Sequence, residues 1–126
     1  MPPAASGNIR LKRAYEPPEP SDGTRILIDR LWPRGVSKEK AQLDAWEKDV
    51  APSAELRKWY QHEPSKWAEF RKRYEQELKA APAQAVLDDL VRRAKRGRVT
   101  LVYGSKAAEI SDVAVLEKLM RERLKR

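Results

Sequence analysis

The stretch Thr24-Arg25-Ile26-Leu27-Ile28-Asp29-Arg30-Leu31-Trp32-Pro33-Arg34-Gly35 decides the fold. Its unbroken apolar run, Ile26-Leu27-Ile28, fits a central strand covered on both faces. A second such strand, Val99-Thr100-Leu101-Val102-Tyr103, stands near the C-terminus. Helical segments separate the two. That order predicts an α/β fold: a small three-layer domain with a mainly parallel sheet, joined by right-handed crossovers and flanked by helices.

Upstream of Thr24, the stretch Ile9 to Tyr15 alternates. Ile9, Leu11 and Arg13 point one way, and Arg10 and Lys12 the other. One wet face places this strand at or near a sheet edge. The segment Glu16 to Gly23 holds three prolines, which exclude a helix, and Asp22-Gly23 supplies a turn or left-handed position. Downstream of Gly35, Ser37 caps a short helical turn through Glu39 and Lys40, and Leu43 to Trp46 reads as a short strand. Ser53 reads as the N-cap of a helix marked by Leu56, Trp59 and Tyr60. His62-Glu63-Pro64-Ser65 then breaks the chain.

In the next helix Trp67, Phe70, Tyr74 and Leu78 share one stripe, so these aromatics are core residues rather than stacking platforms. Ala81-Pro82 ends it. Gln84 to Arg96 forms another helix, acidic at its start and basic at its end, with Gly97 as its C′ residue. After Tyr103 the chain passes through Gly104-Ser105-Lys106 into a last helix carrying Ile110, Val113, Leu116 and Met120.

At 126 residues the chain suits one domain, expected over 7–126 behind a flexible tail at 1–6. A chain of this size buries about two-thirds of its unfolded surface, enough for one core. It is 40% apolar and 37% charged, with a mean hydropathy of −0.80. Cysteine is absent, which excludes disulfides, thiolate metal sites and cysteine nucleophiles and points to a reducing compartment. With a single histidine, His62, no multi-histidine metal centre is expected, and no cofactor is called for. No apolar run is long enough to span a bilayer and the N-terminus lacks a secretion signal, so the expectation is a cytoplasmic protein without a membrane partner.

The formal charge is +8. Residues 1–63 are almost neutral; the excess lies in residues 64–126, around Arg92, Arg93, Lys95, Arg96 and Arg98, and again at Arg121, Arg123, Lys125 and Arg126. Cations there complement helix dipoles and keep the surface solvated. A phosphate-attracting nucleic-acid surface is the competing reading.

Sites in α/β folds lie beyond the C-terminal ends of the central strands. One such end carries Arg30 and Arg34, two guanidiniums able to converge on one phosphate or carboxylate, with Asp29 to orient an arginine. The other offers Gly104 for close backbone approach, Ser105 as a hydrogen-bonding group and Lys106 as a mobile charge. A helix N-terminus beyond them is expected to add free N–H groups. Trp32 and Tyr103 adjoin this crevice as stacking candidates. His62, at a helix junction, reads first as a capping or packing residue and only second as a general base. The site expected is therefore Arg30, Trp32, Arg34, Tyr103, Ser105 and Lys106, with no catalytic residue assigned. Were chemistry to occur, phosphoester hydrolysis with Asp29 or Asp112 positioning water is the natural class.

Lys12-Arg13-Ala14-Tyr15-Glu16-Pro17-Pro18, the run Asp22 to Gly35, and Leu56-Arg57-Lys58-Trp59-Tyr60-Gln61-His62 resemble the YeaO-like branch of the domain-of-unknown-function 488 (DUF488) family, over about Ile9 to Met120. The resemblance implies a small cytoplasmic α/β domain of uncharacterised activity. Members usually follow the second central strand with Tyr-Ala-Ala-(Lys/Arg)-Asp and then His-Asn. Here Tyr103 and Lys106 remain, while Ala107 replaces the Asp and Ile110-Ser111 the His-Asn. If those family residues perform a reaction, this chain keeps the anion-binding arginines without the acid/base equipment. The expected function is binding of an anionic small molecule or nucleotide. A nucleic-acid-binding module and a protein-interaction or oligomeric domain are the alternatives.

Overall fold

A computed structural model describes residues 8–125, so the tail expected over 1–6 and the basic residue Arg126 lie outside it. Ile26, Leu27 and Ile28 are fully buried, as are Val99, Thr100 and Leu101. These runs form β2 (Thr24–Leu27) and β4 (Val99–Tyr103), the two interior strands. They pair in parallel, Leu27 opposite Val102, and the Ile28 N–H carries the ladder one step further to the Val102 carbonyl. β1 (Ile9–Arg13) pairs with β4, and β3 (Ala45–Trp46) with β2, both in parallel. The sheet order is β1-β4-β2-β3, with the alternating strand at an edge as expected.

The strand period of two divides the sheet into two faces. Ile26, Ile28, Val99, Leu101 and Tyr103 share one core with Leu56 and Tyr60 of α2 (Ala54–Tyr60), Phe70 and Tyr74 of α3 (Trp67–Glu77), Leu90 of α4 (Ala83–Arg96) and Leu116 of α5 (Asp112–Leu124). Leu27 and Val102 face the other way, against Ala14, Trp32, Val36, Leu43 and Trp46. This third layer is made of connecting segments and the four-residue α1 (Lys38–Ala41), capped by Ser37 as its sequence predicts.

The same face corrects one expectation. Lys12 does not point into water; it is 7% exposed. The proline-rich segment folds back over β1 and places Asp22, fully buried, beneath it. Asp22 accepts from Lys12 Nζ at 3.1 Å and from Arg25 at 2.6 Å, and Glu19 closes on Lys12 at 2.7 Å. Burial alone would raise the Asp22 carboxyl. The Glu19 N–H and the two cations overcome it and hold the group below its ordinary value.

Two turn positions also differ. Gly97 closes α4 with extended backbone, φ 178°, because the chain runs straight into β4. The left-handed position belongs to Gly23, φ 65°, where a Cβ would stand 2.4 Å from the Arg98 carbonyl oxygen. Ile110 precedes the last helix, in a 3-10 turn over Ala108–Ile110.

Candidate anion-binding cleft

Parallel pairing brings the carboxyl ends of β2 and β4 to the same rim of the sheet. There the Gly104 N–H donates to Asp29 Oδ2 at 2.9 Å. The Asp29 carbonyl in turn accepts from the Trp46 indole at 2.6 Å, so the exit of β2 is fixed from both sides. A cleft of about 540 Å³ opens beside this junction. Asp29 to Pro33 line it from one loop, Gly104 and Ser105 from the other, and Arg57, Lys58 and Tyr60 from α2, with His62, Phe70 and Asp112 among the other wall residues.

The six residues expected at the site divide evenly. Arg30, Trp32 and Ser105 line the cleft. Arg30 Nε and an Nη donate to the carbonyls of Pro52 and Ala51 at 3.2 and 3.3 Å, which sets the plane of its guanidinium and occupies part of its donor fork. The Trp32 indole donates to the Val36 carbonyl and meets Trp46 edge to face, 5.3 Å between centroids. Ser105 Oγ accepts from the Ala107 N–H. Arg34, Tyr103 and Lys106 do not line the cleft. Arg34 is exposed and contributes its carbonyl to the Tyr15 hydroxyl; Tyr103 is buried in the helix-side core; Lys106 points to solvent beyond Ser105.

α2 supplies what the loops do not. Ser53 caps it, accepting from the Leu56 N–H, and is itself held by Glu77 at 2.6 and 2.8 Å. That anchor aims the exposed Arg57 and Lys58 at the cleft mouth. Neither makes a side-chain hydrogen bond or ion pair with the described residues. Both lie inside the stretch Leu56 to His62, yet its helical spacing gives no sign that two of its charges face a cavity.

The acids are Asp29 and Asp112. Burial raises the Asp29 carboxyl, opposed by the Gly104 N–H and by the charges of Arg57 and His62. Asp112 is pushed up to about 7, first by burial and then by the negative charge of Asp29; its own N–H and that of Val113 only partly offset this. A carboxylate thus stands at the N-terminus of α5, where free donors for a ligand were expected. Near pH 7 Asp112 is about half protonated. Gln61 and His62, φ 49° and 55°, are both left-handed, and this double turn lays the His62 ring 5.5 Å from that of Tyr60.

Four of the surplus cations of the second half make ion pairs, three within their own helix and Arg123 across from α5 to α4. Arg92 and Arg93 pair with Asp89, Arg121 with Glu117 and Arg123 with Asp88. Among the described residues no group of three or more His, Cys, Asp or Glu gathers for a metal, and no helix is long and apolar enough to cross a membrane.

Fold and cleft together define a small α/β domain whose cleft opens where its interior parallel strands end. The chain belongs to the DUF488 family: residues 8–126 match the group described as the Inactive DUF488-N3 subclade. It is 43% identical to the uncharacterized protein YeaO of Escherichia coli over 114 residues, 90% of this chain and 97% of that one. An uncharacterized protein of Mycobacterium tuberculosis is also 43% identical, over 115 residues, 91% of this chain and 95% of the relative. No solved structure matches the chain.

Proposed function

We propose that this protein binds a small phosphate- or carboxylate-bearing molecule in the cleft and does so without catalysing a reaction. The observation that carries the reading is the pair Arg57 and Lys58, exposed at the cleft mouth with no acid in ion-pair range among the described residues. Arg30, its plane already set by two carbonyls, is the third positive group. Trp32, Pro33 and the exposed Leu31 offer an apolar wall for the body of the ligand, as a nucleotide or similar molecule would need. Ala107 and Ile110-Ser111, in place of the acid and His-Asn common in the family, and the word "Inactive" in the subclade's description support binding alone.

The test is a thermal-shift screen of nucleotides, sugar phosphates and small carboxylates. A ligand at 100 times its Kd stabilises the folded state by about 2.7 kcal/mol. Arg57→Ala is expected to weaken binding at least about tenfold, as loss of one charge-assisted contact requires. No stabilisation by any of these anions, or equal affinity in Arg57→Ala, would overturn the reading.

A further inference from the structure

The acids of the cleft and the cations left unpaired among the described residues are sorted by sign. Arg30 also lines the cleft, with part of its donor fork on the Pro52 and Ala51 carbonyls. Arg57 and Lys58 stand exposed at the mouth, while Asp29 and Asp112 lie further in, beside the buried rings of Tyr60 and Phe70. A Cβ on residue 104 would stand 3.2 Å from Asp29 Oδ2, so glycine allows the close approach of the two loops at the acids. Gly104 takes only one Asp29 oxygen. A simple anion therefore satisfies the mouth but meets like charge below it. A purely cationic ligand has the opposite fault.

Resting on the anion-binding reading, we infer that the cleft takes a small zwitterion, its phosphate or carboxylate on Arg57 and Lys58 and a primary ammonium between Asp29 and Asp112. The ammonium supplies three donors to carboxylate oxygens, and the chain joining the two charges lies along the apolar wall. The charged groups that act on the acid pair are Arg57 and His62; Arg30 lines the same cleft, and the hydroxyl of Tyr74 is a further neighbour, its ionisation opposed by burial and then by both acids. None of them brings a second negative charge at neutral pH. Because Asp112 is partly protonated near pH 7, seating an ammonium against it expels that proton, so affinity rises between pH 6 and pH 8.

Matched probes separate this inference from the reading beneath it. Isothermal titration of the wild-type protein compares O-phosphoethanolamine with ethyl phosphate, 4-aminobutyl phosphate with butyl phosphate, and 4-aminobutyrate with pentanoate. The members of each pair are alike in anion and differ chiefly in the ammonium. In at least one pair the ammonium member is expected to bind about tenfold tighter at pH 8. Its binding at pH 7 is expected to release about half a proton, read from the enthalpy in buffers of different ionisation heat. Asp112→Asn narrows that ratio toward one. Alkyl anions binding as well as their ammonium partners in every pair would overturn the zwitterion and leave the anion site standing. No binding by any of the six overturns both.

Discussion

Asp29 and Gly104 lock the exits of the two interior strands together, the backbone N–H of one donating to the carboxylate of the other at 2.9 Å. The same carboxylate adds to burial in raising Asp112. One residue thus closes the sheet rim and contributes to the protonation of the cleft. Asp29→Asn keeps an oxygen for Gly104 but removes the charge, so the Asp112 midpoint is expected to fall below about 7. Carboxyl carbon NMR titration reads this directly. An unmoved midpoint would show that burial alone governs Asp112.

Stability should carry the mark of Asp112. Its folded value, about 7, lies above the ordinary carboxyl value of 3.8, so its protonated form is favoured by folding. The contribution is fully present below the unfolded value and is lost as pH rises through the folded one. Partial contact with solvent keeps the effect on the order of 1 kcal/mol. Asp112→Asn is expected to raise stability by that order at pH 8 and to change it little at pH 4, in urea denaturation at both. A gain that is equal at the two pH values would contradict the assignment.

Beneath β1, Asp22 is buried among Lys12, Arg25 and the Glu19 N–H. Removing one partner of such a group strands the others away from water, which costs about 3–5 kcal/mol. Asp22→Ala is expected to destabilise by that amount, whereas Glu19→Ala, whose carboxylate is half in solvent, loses 1 kcal/mol or less, the range of about 0–1 found for exposed pairs. Equal losses in the two variants would mean that the buried carboxylate is not the centre of the network.

Gln61 holds a left-handed backbone at the end of α2. Relieving that conformation in a non-glycine residue is worth about 1 kcal/mol. Gln61→Gly is expected to stabilise the protein by up to that amount, seen as a higher urea midpoint with unchanged slope. A loss would show that the Gln61 side chain contributes more than its backbone costs.

The interior strands were legible because Ile26 to Ile28 and Val99 to Tyr103 are apolar without interruption, and a parallel sheet buries such runs from both sides. Parallel pairing then follows from the helices between them, and with it the meeting of Asp29 and Gly104 at one rim. The fate of Lys12 was not legible. In the alternating strand it reads as solvent-facing, and only the tertiary return of Asp22 makes burial tolerable. Arg57 and Lys58 escaped for the converse reason. A cation on an exposed helix turn looks the same in sequence whether it faces bulk water or a cavity mouth. Asp112 was marked as a carboxylate near the cleft, but its raised value depends first on its burial in the folded chain and then on Asp29, far away in sequence.

Gly23 sits at the opposite rim of the sheet, and a methyl group there would press to 2.4 Å of the Arg98 carbonyl oxygen, at the very place where the Thr24 N–H bonds to it. Only the short strand β2 separates that point from Asp29. A side chain at position 23 would lever β2 away from β4 and carry Asp29 off its seat on Gly104. Impaired ligand uptake would then trace to a lesion remote from every group that touches the ligand, and a mutational scan scored by affinity alone would mistake a hinge for a contact.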